Sequence, residues 1–107
     1  MTNRNRRKVI YIAGPIQGVE RYWEGFERAE DELIALGFIP VSPSRHPVGL
    51  TLEQYARLNF ATIDVADAVL FLPGWEKSKG ARLERDYCIY TEKPFFTDPF
   101  LIKEVFG

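Results

Sequence analysis

Two short apolar runs, Val9-Ile10-Tyr11-Ile12-Ala13 and Ala68-Val69-Leu70-Phe71-Leu72, constrain this chain more than any other feature. Neither alternates between apolar and polar residues, so neither suits a strand with one face in water. Both suit strands buried on two sides, as in a parallel sheet covered by helices. Each run halts at glycine and proline, in Gly14-Pro15-Ile16-Gln17-Gly18 after the first and Pro73-Gly74 after the second. Such residues demand turns.

Between the runs the period changes. Tyr22, Trp23, Phe26, Ala29, Leu33, Ile34 and Leu36 recur at helical spacing, with Glu27, Arg28, Glu30, Asp31 and Glu32 between them. That pattern predicts an amphipathic helix stopped by Gly37. Phe38 to Val41 reads as a second strand, and Pro40 places it at a sheet edge because proline donates nothing to a ladder. The irregular stretch Ser42 to Leu50 carries the only histidine, His46. Thr51-Leu52-Glu53-Gln54 then reads as a capping box, opening a second helix expected to reach about Ile63. A third helix is expected from near Ser78 to about Thr91, and a fourth strand at Phe95-Phe96-Thr97. Leu101, Ile102, Val105 and Phe106 lie in a short tail, apolar enough to pack or to pair with another subunit.

Strands alternating with helices predict one α/β domain, with a parallel sheet, helices on both faces and right-handed crossovers. In such sheets ligands bind beyond the carboxyl ends of the strands, near the switch in strand order. Three loops lie there: Gly14 to Gly18, Ser42 to Leu50, and Pro73 to Ser78.

Composition narrows the function. The chain has 107 residues and a net charge of −1, which suits one core and gives no electrostatic case for a nucleic-acid polymer. Arg4, Arg6, Arg7 and Lys8 form the one basic cluster, read as a flexible tail over residues 1–8 ahead of a domain over 9–107. The single cysteine, Cys88, shares a helical stripe with Ala81 and Glu84 and reads as a small buried residue. No apolar run is long enough to span a membrane and no signal-peptide pattern precedes the first strand, so a cytoplasmic location is the expectation. The first loop lacks G-x-G-x-x-G and the Gly-Lys-Ser/Thr of a P-loop, which argues against a dehydrogenase or an NTPase. One His and one Cys, far apart, give no ligand spacing. No cofactor and no metal are expected.

The chemically odd stretch is Ser78-Lys79-Gly80-Ala81-Arg82-Leu83-Glu84. A small-residue turn at a helix start exposes backbone N–H groups at the positive end of the helix dipole and favours anions. Glu84 falls on the stripe that also holds Gly80, Ala81, Tyr87, Cys88 and Thr91, away from Lys79, Arg82, Asp86 and Lys93. Two readings fit it: a functional carboxylate, or an acid at the rim of the buried face with its head in water. His46 is similarly open, as a ligand-binding residue or as an exposed loop side chain.

Tyr11-Ile12-Ala13-Gly14-Pro15, Ala66-Asp67-Ala68-Val69 and Ser78-x-Gly80-x-x-x-Glu84 together resemble the nucleoside 2-deoxyribosyltransferase superfamily. The match is best to a small branch with an LPGWxxSxGAxxE signature, here Leu72 to Glu84. The resemblance covers Val9 to about Thr97. It implies a flavodoxin-like, Rossmann-like sandwich with a four- to five-stranded parallel sheet, acting on a small nucleoside or nucleotide as a homodimer or larger homo-oligomer. It also implies N-glycosidic chemistry, with Glu84 as nucleophile at the anomeric carbon. A carboxylate there stabilises the oxocarbenium-like state and then traps it.

Relatives acting on free nucleosides tend to carry an acid where this chain has Ser78, and 5′-monophosphate glycosidases carry serine. Ser78, with Gly80, Ala81 and neighbouring Lys77 and Lys79, therefore points to a nucleoside 5′-monophosphate, cleaved or transferred at its base. A deoxyribosyltransferase on free nucleosides and a non-catalytic nucleotide-binding module are the alternatives. Asn59 stands where the family usually has an aspartate, and an amide cannot act as a base. Gln17 stands where phosphate-binding relatives carry arginine. Tyr11 matches a family tyrosine that bonds the nucleophile or sugar, or is a core aromatic. The remaining substrate-binding candidates are Gly14, Pro15, Ile16, Gly18, His46, Gly74 and Trp75, the last as a stacking residue or lid. Tyr22 and Trp23 could stack a base or pack in the core.

Overall fold

The computed structural model describes residues 6–107, so Arg4 of the basic cluster lies outside the described residues. Four strands, β1 (Val9–Ala13), β2 (Ile39–Val41), β3 (Ala68–Phe71) and β4 (Phe95–Phe96), form one sheet in the order β2-β1-β3-β4. All three pairings are parallel, with Tyr11 beside Val41 on one side and Val69 on the other. Four α-helices cover it: α1 (Tyr22–Ala35), α2 (Leu52–Val65), α3 (Lys79–Thr91) and α4 (Pro99–Phe106). This is the expected flavodoxin-like sandwich, with four strands.

Strand alternation sorts the core into two layers. Ile10, Ile12, Ala68 and Leu70 point to one face, where Phe26, Ala29 and Leu33 of α1 and Ile102 of α4 pack on them. Tyr11, Ala13, Val69 and Phe71 point to the other face, against Ile63 of α2 and Cys88 of α3. Tyr11 is thereby committed to the α2–α3 side, and its side chain is wholly buried.

Several boundaries have identifiable causes. Helix α1 gives way at Leu36, after which Gly37 takes a φ of 93° that a side chain would disfavour. The capping box forms as expected: Thr51 Oγ1 accepts from Gln54 N at 3.1 Å and Gln54 Oε1 accepts from Thr51 N at 2.9 Å. Helix α2 continues past Ile63 to Val65, where Asp67 takes over the chain's direction. Asp67 accepts from the β1 backbone at Val9 N (2.8 Å) and from Arg6 (3.4 Å). Burial opposes its ionisation, but these donors hold its pKa below the usual carboxylate value. The apolar tail is a helix rather than an irregular end. Asp98 caps it at Phe100 N, Pro99 fits its first turn, and Ile102 is buried beneath it. Among the described residues no helix is long and apolar enough to cross a membrane.

The strand order switches at β1, with β2 added on one side and β3 on the other, so the crevice of the sheet opens between the loops after β1 and β3. Those loops touch: a Cβ on Gly14 would meet Leu72 Cβ at 3.0 Å, and one on Gly74 would meet Pro15 at 3.6 Å. Thr51→Ala removes one half of the capping box and is expected to lower stability by about 1 kcal/mol. Urea unfolding reads this as a lower midpoint at unchanged slope, and a wild-type midpoint would show that the cap contributes nothing.

Candidate active site

Glu84 lies in the second turn of α3 on the stripe with Ala81 and Cys88, and all three are buried. Only 7% of Glu84 is exposed. Tyr11, projecting from the inner strand β1, donates its hydroxyl to Glu84 Oε2 at 2.8 Å. Burial pushes the Glu84 carboxyl up to about 7, against hydrogen bonds from Tyr11 and Asn59 that favour the ionised form. Burial and the Glu84 charge raise Tyr11 well above an ordinary phenol, so it remains a donor. Burial and the same charge raise the Cys88 thiol to about 11, which keeps it protonated and unreactive at neutral pH.

Asn59 reaches this carboxylate from α2. Its NH2 group is the half suited to a carboxylate, which leaves Oδ1 for His46, whose Nε2 lies 3.1 Å away. The sequence candidates Tyr11, His46, Asn59 and Glu84 are therefore brought together from a strand, a loop and two helices, Tyr11 bonded to Glu84 and His46 to Asn59. His46 is held there by its loop. Pro43–Arg45 form a single 3₁₀ turn, unforeseen in the sequence, capped by Ser42 through Ser44 N at 3.2 Å. Arg45 grips Glu30 with two bonds, 3.2 Å from Nε and 2.7 Å from Nη2. Tyr55 fastens the far end, donating to Pro47 O at 2.7 Å and accepting from Leu50 N at 3.3 Å.

Glu30 corrects the sequence reading of α1. Counted there among the solvent-facing residues, it is 93% covered, because it follows Phe26 by four residues and precedes Leu33 by three. That spacing was the available signal. The partner, Arg45, could not be found without the fold.

The other candidates fall into two groups. Ser78 caps α3, its Oγ accepting from Ala81 N at 3.2 Å, and the N–H groups of Lys79 and Gly80 precede the first intrahelical bond. A side chain at Gly80 would meet nothing within 4 Å, so this helix start is open. Ala81, three residues before Glu84, is buried. Trp75, in a 3₁₀ turn of residues Trp75–Lys77, packs against Phe71 with centroids 5.3 Å apart and carries the Arg85 guanidinium over its ring at 5.5 Å. Arg85 was not singled out in the sequence; its position one residue past Glu84 was the only hint. Gly14 is buried and Pro15 meets Gly74, whereas Ile16 packs on the α1–α4 layer. Gln17 and Gly18 are exposed in the turn before α1. Tyr22 packs on the α1–α4 layer, with Trp23 beside it, so both lie across the sheet from Glu84.

Two clefts flank these elements. One of about 750 Å³ runs between α1 and the loop after β3, on the face opposite Glu84. A second, of about 440 Å³, lies beside β2 and is lined by Glu30, Ser42, Arg45 and His46 among others. His46 is the single residue shared between that cleft and this polar cluster.

A family's sequence model, described as Domain of unknown function (DUF4406), matches residues 8–96. The chain belongs to the DUF4406 family. No curated protein matches the sequence. Among solved structures, the DUF4406 domain is similar to a 2-desoxiribosyltransferase from Leishmania mexicana, with a TM-score of 0.67 and 19% identity. The match covers 83% of this chain and 62% of that one, so this domain spans less than two thirds of the enzyme. At that identity the likeness establishes a common fold.

A carboxyl raised to about 7 from an ordinary 4.5 has a stability signature. Between those values the native state binds more protons than the unfolded chain, so the Glu84 contribution makes stability fall as pH rises from 4.5 through 7. Above pH 7 the cost levels off at roughly 3 kcal/mol. Glu84→Gln should therefore be more stable than the wild type at pH 8, with the gap shrinking toward pH 4.5, measured by urea unfolding. An equal gap at all pH values would show an unperturbed carboxyl.

Proposed function

We infer that this domain is an N-glycosidase that cleaves, or transfers the base of, a (deoxy)nucleoside 5′-monophosphate through Glu84. The observation that carries the reading is a buried carboxylate, oriented by Tyr11 and Asn59, at the carboxyl edge of a sheet whose fold is shared with a 2-desoxiribosyltransferase. The resemblance of Leu72 to Glu84 to that superfamily's signature supports it, and with it membership of the wider superfamily.

In the first step a Glu84 carboxylate oxygen bonds to the anomeric carbon as the glycosidic C–N bond breaks and its electron pair leaves with the base. A second acceptor, water or another base, then displaces Glu84. Tyr11 holds one carboxylate oxygen, leaving the other to attack. The 5′-phosphate is assigned to the open start of α3, where the Ser78 hydroxyl, the N–H groups of Lys79 and Gly80 and the helix dipole favour an anion. A free nucleoside would leave those donors unused. The second reading is a nucleotide-binding module without turnover, favoured by Asn59 and Gln17 at positions where relatives carry charged groups.

Incubation with a panel of nucleosides and 5′-monophosphates, followed by chromatography of released base, separates these. Release is expected from 5′-monophosphates, reduced about 10³-fold or more by Glu84→Gln. Binding without release by the wild type would establish the module. Because attack needs the carboxylate, kcat/KM should show an acid limb that rises with pH as Glu84 ionises. A profile with no acid limb would remove Glu84 ionisation from the mechanism.

A further inference from the structure

The geometry points to His46 as the general acid and base of this site, a role that rests on the glycosidase reading above. Expelling a base from an anomeric carbon leaves an electron pair on a ring nitrogen, and protonating the base removes most of that difficulty. Glu84 is committed to the sugar, Tyr11 is a donor held far from titration, and Asn59 cannot give up a proton. Among the described residues, His46 is the remaining titratable group in this cluster, bonded to Asn59.

Its setting fits the task. His46 Nε2 lies 3.1 Å from Asn59 Oδ1, an acceptor, so the Nε2–H tautomer satisfies this contact and leaves Nδ1 as the exchanging position. A base oriented by a third group in this way is the general arrangement of acid–base pairs in enzymes. The ring is positioned before any ligand arrives, because Arg45 ties its loop to Glu30 on α1 and Tyr55 ties it to α2. His46 also lines the 440 Å³ cleft beside β2, so it faces the carboxylate network on one side and solvent on the other. A residue so placed can exchange its proton with water between turnovers.

The cycle balances. Protonated His46 gives its Nδ1 proton to the departing base as the C–N bond breaks and Glu84 bonds to the anomeric carbon. Neutral His46 then takes a proton from the attacking water as that water's oxygen displaces Glu84, restoring both groups. Asn59 accepts from Nε2–H throughout, in either charge state of the imidazole. On this view Asn59 is a positioning residue that holds the acid and favours the ionised nucleophile beside it. An aspartate there would hold His46 equally well but would set a second negative charge beside Glu84.

The test compares two leaving groups on one sugar phosphate: a nucleoside 5′-monophosphate that the wild type cleaves, and a 4-nitrophenyl (deoxy)riboside 5-phosphate, whose phenolate departs without a proton. His46→Gln should lower kcat on the nucleotide by about 10²–10⁴-fold and on the nitrophenyl compound by less than about 10-fold. Equal losses on both substrates would make His46 a binding or structural residue, and no loss on the nucleotide would remove it from the mechanism. Glu84→Gln, run alongside, should silence both substrates, which separates the nucleophile from the acid. If the wild type releases neither leaving group, the glycosidase reading and this assignment fall together. If release persists without Glu84, the nucleophile falls, and the leaving-group comparison still decides on His46. Thermal melting of His46→Gln checks that the variant folds; His46 is half-exposed in a loop secured by its neighbours, so a wild-type melt is expected.

Discussion

The hydrogen bond from Tyr11 to Glu84 joins an inner strand of the sheet to the helix that carries the carboxylate. Both partners are sealed from solvent, so neither could be lost without leaving an unpaired polar group in a dry interior. The two-residue period of β1 sends Tyr11 to the α2–α3 face, and the 3.6-residue period of α3 brings Glu84 to meet it. Secondary structure therefore delivers the contact before any loop is considered. The loops add what lies beyond the carboxylate: an open helix start on one side and the His46 arm on the other.

That arm shows how a long surface loop becomes a fixed part of a site. Arg45 and Tyr55 attach it to helices on opposite faces of the sheet, α1 and α2, so the loop straps the edge of the sandwich. Glu30 is the anchor buried in α1, while the Arg45 side chain remains largely exposed and can offer its whole fork to one carboxylate. The ordering entropy of the loop is met by contacts that never touch the carboxylate itself. Its placement is consequently independent of a ligand.

Much of this architecture was legible in the residues, for local reasons. Val9–Ala13 and Ala68–Phe71 announced buried strands through their unbroken apolarity, Thr51 and Gln54 announced a helix start, and the glycine at 37 announced a stop. Glu84 stood out because helical periodicity alone put it on the small-residue stripe. What escaped was long-range or marginal. Two 3₁₀ turns, at Pro43–Arg45 and Trp75–Lys77, are too short to leave a period. Helix α4 was obscured because its eight residues hold little more than one apolar repeat. Glu30 was hidden by its chemistry, a charged residue that geometry assigns to the interior once Arg45 is opposite it. The pairing of His46 with Asn59 spans 13 residues and a helix boundary, and no spacing rule connects them.

The edge strand β2 has a further consequence, for how the molecule behaves among copies of itself. Ile39 N–H turns inward to Lys8 O, so the alternation of the strand turns the Pro40 nitrogen outward, where it has no hydrogen to offer. The outer rim of a three-residue strand thus lacks the amide donor that an incoming strand would need at its centre. At the opposite rim β4 is two residues long, too short to template an extended ladder. The two most apolar strands are enclosed between guarded borders, and the sheet is protected against growing sideways into an aggregate.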